Sequence, residues 1–235
     1  MCRMPTVIAH RGASARAPEH TVAAYDRALA DGADWLELDV RRLADGTPVV
    51  VHDRTLARTC GDPRAVAGLL PRDLREIPGA PLELAQVLAR YGDRARFLVE
   101  LKDPSPADGP LALEIAEVLG VRDRVAVQSF THAALKGLRG HGAPLWALYP
   151  CRLPARWLRM DLQRVAGWAA GIAPHAASVD AALVAAAHGR GLGVHAYTVN
   201  DPVEMDRLVV LGVDGLITDV PDVARGRATP VALAA

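Results

Sequence analysis

Short aliphatic and β-branched runs alternate with stretches of helical spacing along most of this chain. Thr6 to Ala9 reads as a strand that runs into His10-Arg11-Gly12. A polar loop to Glu19 follows, and Thr21 to Ala30 then places Val22, Tyr25 and Ala28-Leu29 at helical intervals, with Gly32 as the stop. Trp35 to Val40 is a strand, and Val49 to Val51 is a second β-branched run that returns beside it. Arg54 to Pro81 shows no period and is rich in Arg, Gly and Pro, the pattern of a long functional loop or lid. Helical spacing resumes over Leu82 to Arg90.

From there the alternation is regular. Strands are predicted at Phe97–Leu101, Val125–Gln128, Leu145–Tyr149, Gly171–Pro174, Gly193–Val199 and Asp214–Thr218. The helices between them are Leu111–Leu119, Thr131–Arg139, Asp180–His188 and Pro202–Leu211, with a less regular segment around Trp157 and Trp168 and a final turn over Val220–Arg225. Leaving out the returning arm, eight strands alternate with helices. Such alternation argues a parallel sheet with right-handed crossovers, and eight repeats in this length favour an α/β fold of the closed (β/α)8 kind, a TIM barrel, over an open sheet. The barrel is expected to occupy residues 1–235 as one domain, with 54–81 inserted in it. No GxGxxG follows the first strand, which removes the best signal for a dinucleotide fold.

The stretch from Trp35 to Asp53 carries more than fold. Period-two alternation puts Glu37 and Asp39 on one face and Leu36, Leu38 and Val40 on the other. Asp45-Gly46 is a strong hairpin signal. As a two-residue loop it would set His52 directly across from Asp39, so two acids and a histidine would meet at one place. In a barrel, chemistry sits at the C-terminal ends of the strands. The polar strand ends are His10-Arg11, Glu37 with Asp39, Glu100 with Lys102, Gln128-Ser129, and Tyr197 with Asn200.

Composition narrows the function classes. The 27 basic residues balance 27 acidic ones, which argues against a nucleic-acid footprint or a membrane-surface patch. No apolar run reaches membrane-spanning length, and the start MCRMPTVIAH lacks a signal peptide's apolar segment. Cys2, Cys60 and Cys151 form neither a disulfide framework nor a zinc pattern, so a cytoplasmic protein is expected. Only Lys102 and Lys136 are lysines among 25 arginines, which marks each as a place where a compact ammonium was kept.

HRGASARAPEHT, GADWLELDVRRLADGTPVVVHDRTLARTCG, VELK, QSF, YTVND and GVDGLITDVPD, in this order from His10 to Asp222, resemble the glycerophosphodiester phosphodiesterase family. The resemblance covers nearly the whole chain. It implies a (β/α)8 barrel, one divalent cation, and hydrolysis of a small-molecule glycerophosphodiester to sn-glycerol 3-phosphate and an alcohol. By the family's pattern His10 and His52 correspond to the catalytic pair, Glu37, Asp39 and Glu100 to the metal carboxylates, and Arg11 and Lys102 to groups near the phosphate. Glu19, His20 and Tyr197 are further pocket candidates. Two departures stand out: His20 replaces the family's usual Asn, and Tyr197 its usual Trp, changes that bear on substrate preference more than on activity. The segment from His52 to Leu82 is short for a cap domain, so an open or modestly lidded site is expected.

The chemistry is consistent with these residue types. Three converging carboxylates are hard oxygen ligands suited to Mg²⁺ or Ca²⁺ and would repel one another without a cation. Arg11 and Lys102 can take the remaining phosphate charge. Two histidines can divide proton transfer, His52 toward the leaving alkoxide and His10 as base. Either water or the glycerol 2-hydroxyl, through a cyclic phosphate, can be the nucleophile. Competing readings are a lysophospholipase D-like enzyme, for which Leu69-Leu70 and Ile77 would supply an apolar groove, and a non-catalytic phosphate-binding barrel. A metal amidohydrolase is excluded, since strand one lacks HxH. Lys136, His132, His141, His175 and His188 read as surface residues, His195 as a core histidine, and Asp214 and Asp219 as turn-shaping acids.

Overall fold

The computed structural model describes residues 4–102, 105, 107–151 and 153–227. Eight parallel strands form the barrel: β1 (Thr6–Ala9), β2 (Trp35–Arg42), β6 (Arg96–Leu101), β7 (Val125–Ser129), β8 (Leu145–Leu148), β9 (Gly171–Ala173), β10 (Gly193–Ala196) and β11 (Gly215–Thr218). Each pairs with the next, and β1 closes the ring by pairing with both β11 and β2. The expected TIM barrel is the observed fold.

Helices α1 (Val22–Ala30), α4 (Leu84–Tyr91), α5 (Asp108–Val118), α6 (His132–Gly137), α7 (Ala155–Ala166), α8 (Ala181–His188), α9 (Pro202–Leu211) and α10 (Pro221–Arg227) follow the strands. Thr21, Asp180 and Asp201 cap α1, α8 and α9 by accepting from backbone N–H groups of the first turn, and Pro202 opens α9 where a missing donor costs nothing. In α4 the buried positions Leu84, Val87, Leu88 and Tyr91 follow the i, i+3, i+4, i+7 rule. The segment around Trp157, irregular by pattern, is the twelve-residue helix α7. Its three arginines obscure the period, but Leu158, Leu162 and Val165 still form its buried stripe.

The lower barrel interior is filled by Ile8, Leu98, Ala126, Trp146 and Ile217. His195 stacks on Trp146 with ring centroids 3.4 Å apart, so it is a core histidine as expected. Glycines make the room: a Cβ at Gly171 would lie 2.2 Å from the Trp146 ring, and one at Gly215 2.6 Å from the His195 ring. The lower lumen is plugged by these rings, and the buried carboxylates Glu37, Asp39 and Glu100 lie toward the C-terminal mouth.

Two additions modify the plain barrel. The returning arm β3 (Pro48–Val50) pairs antiparallel with the end of β2, and the register differs from the expected one. Val40 opposes Val50, and Val51 N donates to Asp39 O at 2.8 Å, so Val51 and not His52 faces Asp39. The loop has three residues, Ala44, Asp45 and Gly46, closed by Leu43 N to Thr47 O at 2.9 Å, with Gly46 at φ +94°. A type I turn followed by a left-handed glycine is the usual three-residue solution, and the Asp-Gly pair serves it as well as a two-residue turn. His52 reaches the mouth because β3 ends at Val50 and the chain turns inward; Arg41 Nε donates to His52 O at 2.9 Å to hold that turn.

The second addition is not the irregular loop its pattern suggested. It holds a two-stranded sheet of β4 (Thr55–Leu56) and β5 (Asp62–Ala65) and short helices α2 (Ala57–Cys60) and α3 (Pro71–Leu74). Leu56, Val66, Leu69 and Ile77 pack with Leu43, Val49 and Val51 of the hairpin arm into a separate small core. Leu69 and Ile77 are therefore buried inside the insertion and do not line a lipid groove. Among the described residues no helix is long and apolar enough to cross a membrane.

Candidate active site

Glu37 and Asp39 alternate along β2 and project into the lumen, fully buried. Asp39 is in register with Glu100 on β6, and Glu100 with Gln128 on β7, so one row across the barrel carries these three polar groups, while Glu37 lies two residues earlier on β2, opposite Leu98. Ligand oxygens of Glu37, Asp39 and Glu100 lie within 4.8 Å of one another. Burial and the neighbouring acids drive the Glu37 carboxyl well above its ordinary range, and burial with Asp39 raises Glu100 to about 7. Burial also acts to raise Asp39, but His20, Lys102 and Arg11 outweigh it and hold that carboxyl well below its ordinary range. One site thus contains a firmly ionised carboxylate flanked by two whose charge is resisted by their surroundings.

The cationic side of the mouth is built from β1, its loop and β6. Arg11 and His20 both adopt left-handed backbone, at φ 59° and 57°. That turn lets Arg11 N donate to Glu37 Oε2 at 3.1 Å while its Nε sits 2.9 Å from Asp39 Oδ2. Lys102 Nζ lies 3.0 Å from Asp39 Oδ1 and 2.5 Å from Glu100 Oε1. His20 is buried, with Nε2 2.9 Å from Asp39 Oδ2 and Nδ1 3.0 Å from the Tyr25 hydroxyl. Glu19 lies behind Arg11 at 3.3 Å and does not line the central cavity.

Each candidate histidine is held by an acid. His10 Nδ1 is 2.7 Å from Asp219 Oδ1, and His52 Nδ1 is 2.7 Å from Asp53 Oδ1. In both rings this leaves Nε2 for the reacting groups. Burial tends to raise Asp219, but His10, Asn200 and Ser14 all bond to it and set it at about 2. Arg58, from the insertion, grips Asp53 at 2.6 Å and both oxygens of Glu19 at 2.7 Å, and holds Asp53 at about 2. Burial lowers the His52 imidazole from its usual value, only partly countered by Asp53.

His10, Arg11, Glu37, His52, Glu100 and Lys102 line one cavity of about 140 Å³, closed on the opposite side by Phe130, Leu148 and Tyr197. Asp39 lies beneath it, its charge reaching His52. Tyr197 presents its ring edge-on to Phe130 at 6.1 Å while its hydroxyl donates to Tyr149 O, so it serves as apolar wall. Asp219, expected to shape a turn, instead holds His10 and ties Ser14 and Asn200 to the same carboxylate. Its position at the end of the last strand was the available signal. Asp53, adjacent to His52, and Arg58 carry no local sequence signal of a site, because neither alone resembles one. His132 and His175 are half-buried, not the surface residues their positions suggested; His132 Nε2 lies 2.8 Å from Leu148 O.

The donor set fits a divalent cation. Asp39 Oδ1 and Glu100 Oε1 are buried without a hydrogen bond of good geometry, and both are paired with the ammonium of Lys102. Buried carboxylate oxygens in that state have lone pairs available to a hard cation.

The chain is similar to known proteins in sequence and in fold. The family model for the glycerophosphoryl diester phosphodiesterase family matches residues 10–223. The glycerophosphodiester phosphodiesterase of Caldanaerobacter subterraneus subsp. tengcongensis is 30% identical over 92% of this chain and 94% of its own. The crystal structure of the Agrobacterium tumefaciens glycerophosphodiester phosphodiesterase superposes with a TM-score of 0.79 at 26% identity, covering 95% of this chain and 100% of its own. A phosphodiesterase from Oleispira antarctica, solved with the product sn-glycerol-3-phosphate, shares the fold at TM-score 0.80 and 24% identity over 95% and 96% of the two chains. With the match running from the first histidine past the last strand, the chain belongs to the glycerophosphoryl diester phosphodiesterase family and has that family's enzymatic activity.

Proposed function

We propose that the chain hydrolyses water-soluble glycerophosphodiesters to sn-glycerol 3-phosphate and an alcohol, with Mg²⁺ or Ca²⁺ held by Glu37, Asp39 and Glu100. The observation that carries this reading is the three buried carboxylates within 4.8 Å, two lining the cavity and Asp39 beneath it, with two acid-supported histidines on the same cavity. When bound, the cation polarises the phosphoryl oxygens and offsets the mutual repulsion of the acids. Arg11 and Lys102 bind the phosphate and keep it over the carboxylates. His10, its ring fixed by Asp219, takes the proton from the attacking hydroxyl, whether water or the glycerol 2-hydroxyl. His52, fixed by Asp53, protonates the departing alkoxide. His52 suits the acid role because it stands at the more open edge, its side chain 35% exposed against 19% for His10. The free thiols Cys60 and Cys151 fit a reducing, cytoplasmic setting.

The lysophospholipase D-like alternative keeps only Leu70 of its three apolar residues, because Leu69 and Ile77 are consumed by the insertion's own core. Turnover of glycerophosphocholine and glycerophosphoethanolamine with Mg²⁺, with Ca²⁺ and with a chelator tests the reading. Activity should vanish on chelation and return with metal; activity surviving full chelation would contradict the metal's role. Wild-type turnover by Glu37→Ala or His52→Ala would contradict the residue assignment. Cleavage of a lysophospholipid alone would favour the alternative.

A further inference from the structure

We propose that Arg58 is a positioning residue for proton transfer to the leaving alcohol: it fixes the Asp53 carboxylate that aims His52, and it ties this acid arm to the phosphate-binding loop through Glu19. The inference rests on the reading of His52 as the acid that protonates the alcohol.

The need for a brace follows from where His52 sits. His10 stands just beyond β1, and its partner Asp219 just beyond β11, the strand paired with β1. His52 and Asp53 instead occupy a bend, residues 52–54, between β3 and the short β4. Neither of them has a barrel strand immediately before it. With side chains 35% and 30% exposed, both are open to water, which competes for the 2.7 Å contact between His52 Nδ1 and Asp53 Oδ1.

Arg58, in the four-residue helix α2, supplies what the bend lacks. Its Nε donates to Asp53 Oδ2 at 2.6 Å, so each carboxylate oxygen is held, one by the imidazole and one by the guanidinium. Its two terminal nitrogens donate to the two oxygens of Glu19, each at 2.7 Å, in a bidentate fork. Glu19 is partly buried in the loop after β1, and its oxygens lie 3.3 and 3.4 Å from Arg11 Nη1. The contacts therefore run from the acid to the phosphate binder, across the seam between the insertion and the barrel. An isolated exposed ion pair contributes little, but a bidentate fork within a charge network is the exception. A lysine could meet one of these carboxylates as a point charge; it could not hold both in plane.

The proton's path shows what the brace does. Asp53 keeps the Nδ1 proton of the imidazolium and leaves the Nε2 proton for the alcohol. As the P–O bond breaks, its electron pair stays with the alkoxide oxygen, and the Nε2 proton moves to that oxygen. The ring is left neutral with its proton on Nδ1, and Asp53 stays ionised. Nε2 must come within hydrogen-bond reach of the leaving oxygen, about 3 Å, which a carboxylate free to turn would not ensure.

The test compares two diesters on the metal-loaded enzyme. Glycerophosphocholine releases an alkoxide that needs a proton, whereas the glycerophosphodiester of p-nitrophenol releases a phenolate that does not. The quantity read is kcat/KM, which reports the steps up to departure of the alcohol. Arg58→Met should lose about tenfold more on glycerophosphocholine than on the nitrophenyl diester, a part of the roughly 10²–10⁴-fold that a general acid contributes. Arg58→Lys should show the same selective loss in smaller measure, and it carries the comparison if the methionine variant does not fold. In an Asp53→Asn background, Arg58→Met should lose little more on glycerophosphocholine, because both changes act through His52. Equal losses on the two diesters, or losses that add to those of Asp53→Asn, would overturn the role of Arg58 even where His52→Ala still discriminates between them. A His52→Ala variant that loses equally on both diesters would overturn the acid assignment beneath it.

Discussion

Arg11 and His20 sit in left-handed backbone, where a non-glycine residue costs on the order of 1 kcal/mol or more. The loop holds both by one hydrogen bond, His20 N to Arg11 O at 3.0 Å, and the return is the aim of two side chains at Asp39. Histidine and asparagine are both enriched in this region, which explains how His20 can occupy a position where the family usually has Asn. His20→Asn should accordingly keep most of the cation affinity, since an amide can donate to Asp39 from the same backbone. His20→Ala should weaken that affinity about tenfold to a hundredfold, read by titration calorimetry with Mg²⁺ or Ca²⁺. Equal affinity in all three proteins would remove His20 from the site. At His52 the sign of a pH effect follows from its surroundings: burial lowers the imidazole and Asp53 partly restores it. If His52 acts as the acid, Asp53→Asn should shift the alkaline limb of the kcat/KM profile to lower pH. A shift upward, or none, would contradict that role.

At the scale of elements, the hairpin arm and the insertion behave as one unit. Val49 and Val51 face the insertion's core, while the chain immediately beyond them delivers His52 and Asp53 to the mouth. Arg58 links that unit back to the β1 loop through Glu19. Removing the fully buried Leu56 side chain should therefore do two things. Leu56→Ala is expected to cost about 2–5 kcal/mol in stability, measured by thermal or denaturant unfolding. It should also lower kcat at temperatures where the barrel remains folded, because the anchor of His52 is loosened. Unchanged kcat in a destabilised variant would show that the arm holds its register without the insertion. The internal structure of this segment was hidden in the sequence because its strands and helices are two to four residues long, too short for any period to emerge. The register of the arm was hidden for a different reason: Asp-Gly serves two-residue and three-residue loops alike, and one residue's difference moves His52 off the position opposite Asp39.

For the molecule as a whole, the plugged lower lumen has a measurable consequence. Burial lowers His195 from its ordinary 6.5 to about 3, so the folded state holds it neutral while the unfolded chain takes up a proton below 6.5. The stability this provides is complete above pH 6.5 and is lost as pH falls from there toward 3. The loss approaches about 1.4 kcal/mol per pH unit for one such group. Denaturant unfolding from pH 6.5 to 4.5 should show a shallower decline in His195→Gln than in the wild type; parallel curves would contradict the assignment. The sequence by itself determined the barrel, because eight apolar runs alternating with helical spacing admit few other ways to bury both faces of a parallel sheet. It also determined that Glu37 and Asp39 share a face, because strand periodicity is local geometry. Only the tertiary structure decided that Glu100 stands beside Asp39, that Asp219 holds His10 from 209 residues away, and that His52 enters from beyond the end of its strand. Those contacts depend on barrel closure, inter-strand register and the packing of the insertion, which couple residues too far apart in sequence for any local pattern to encode.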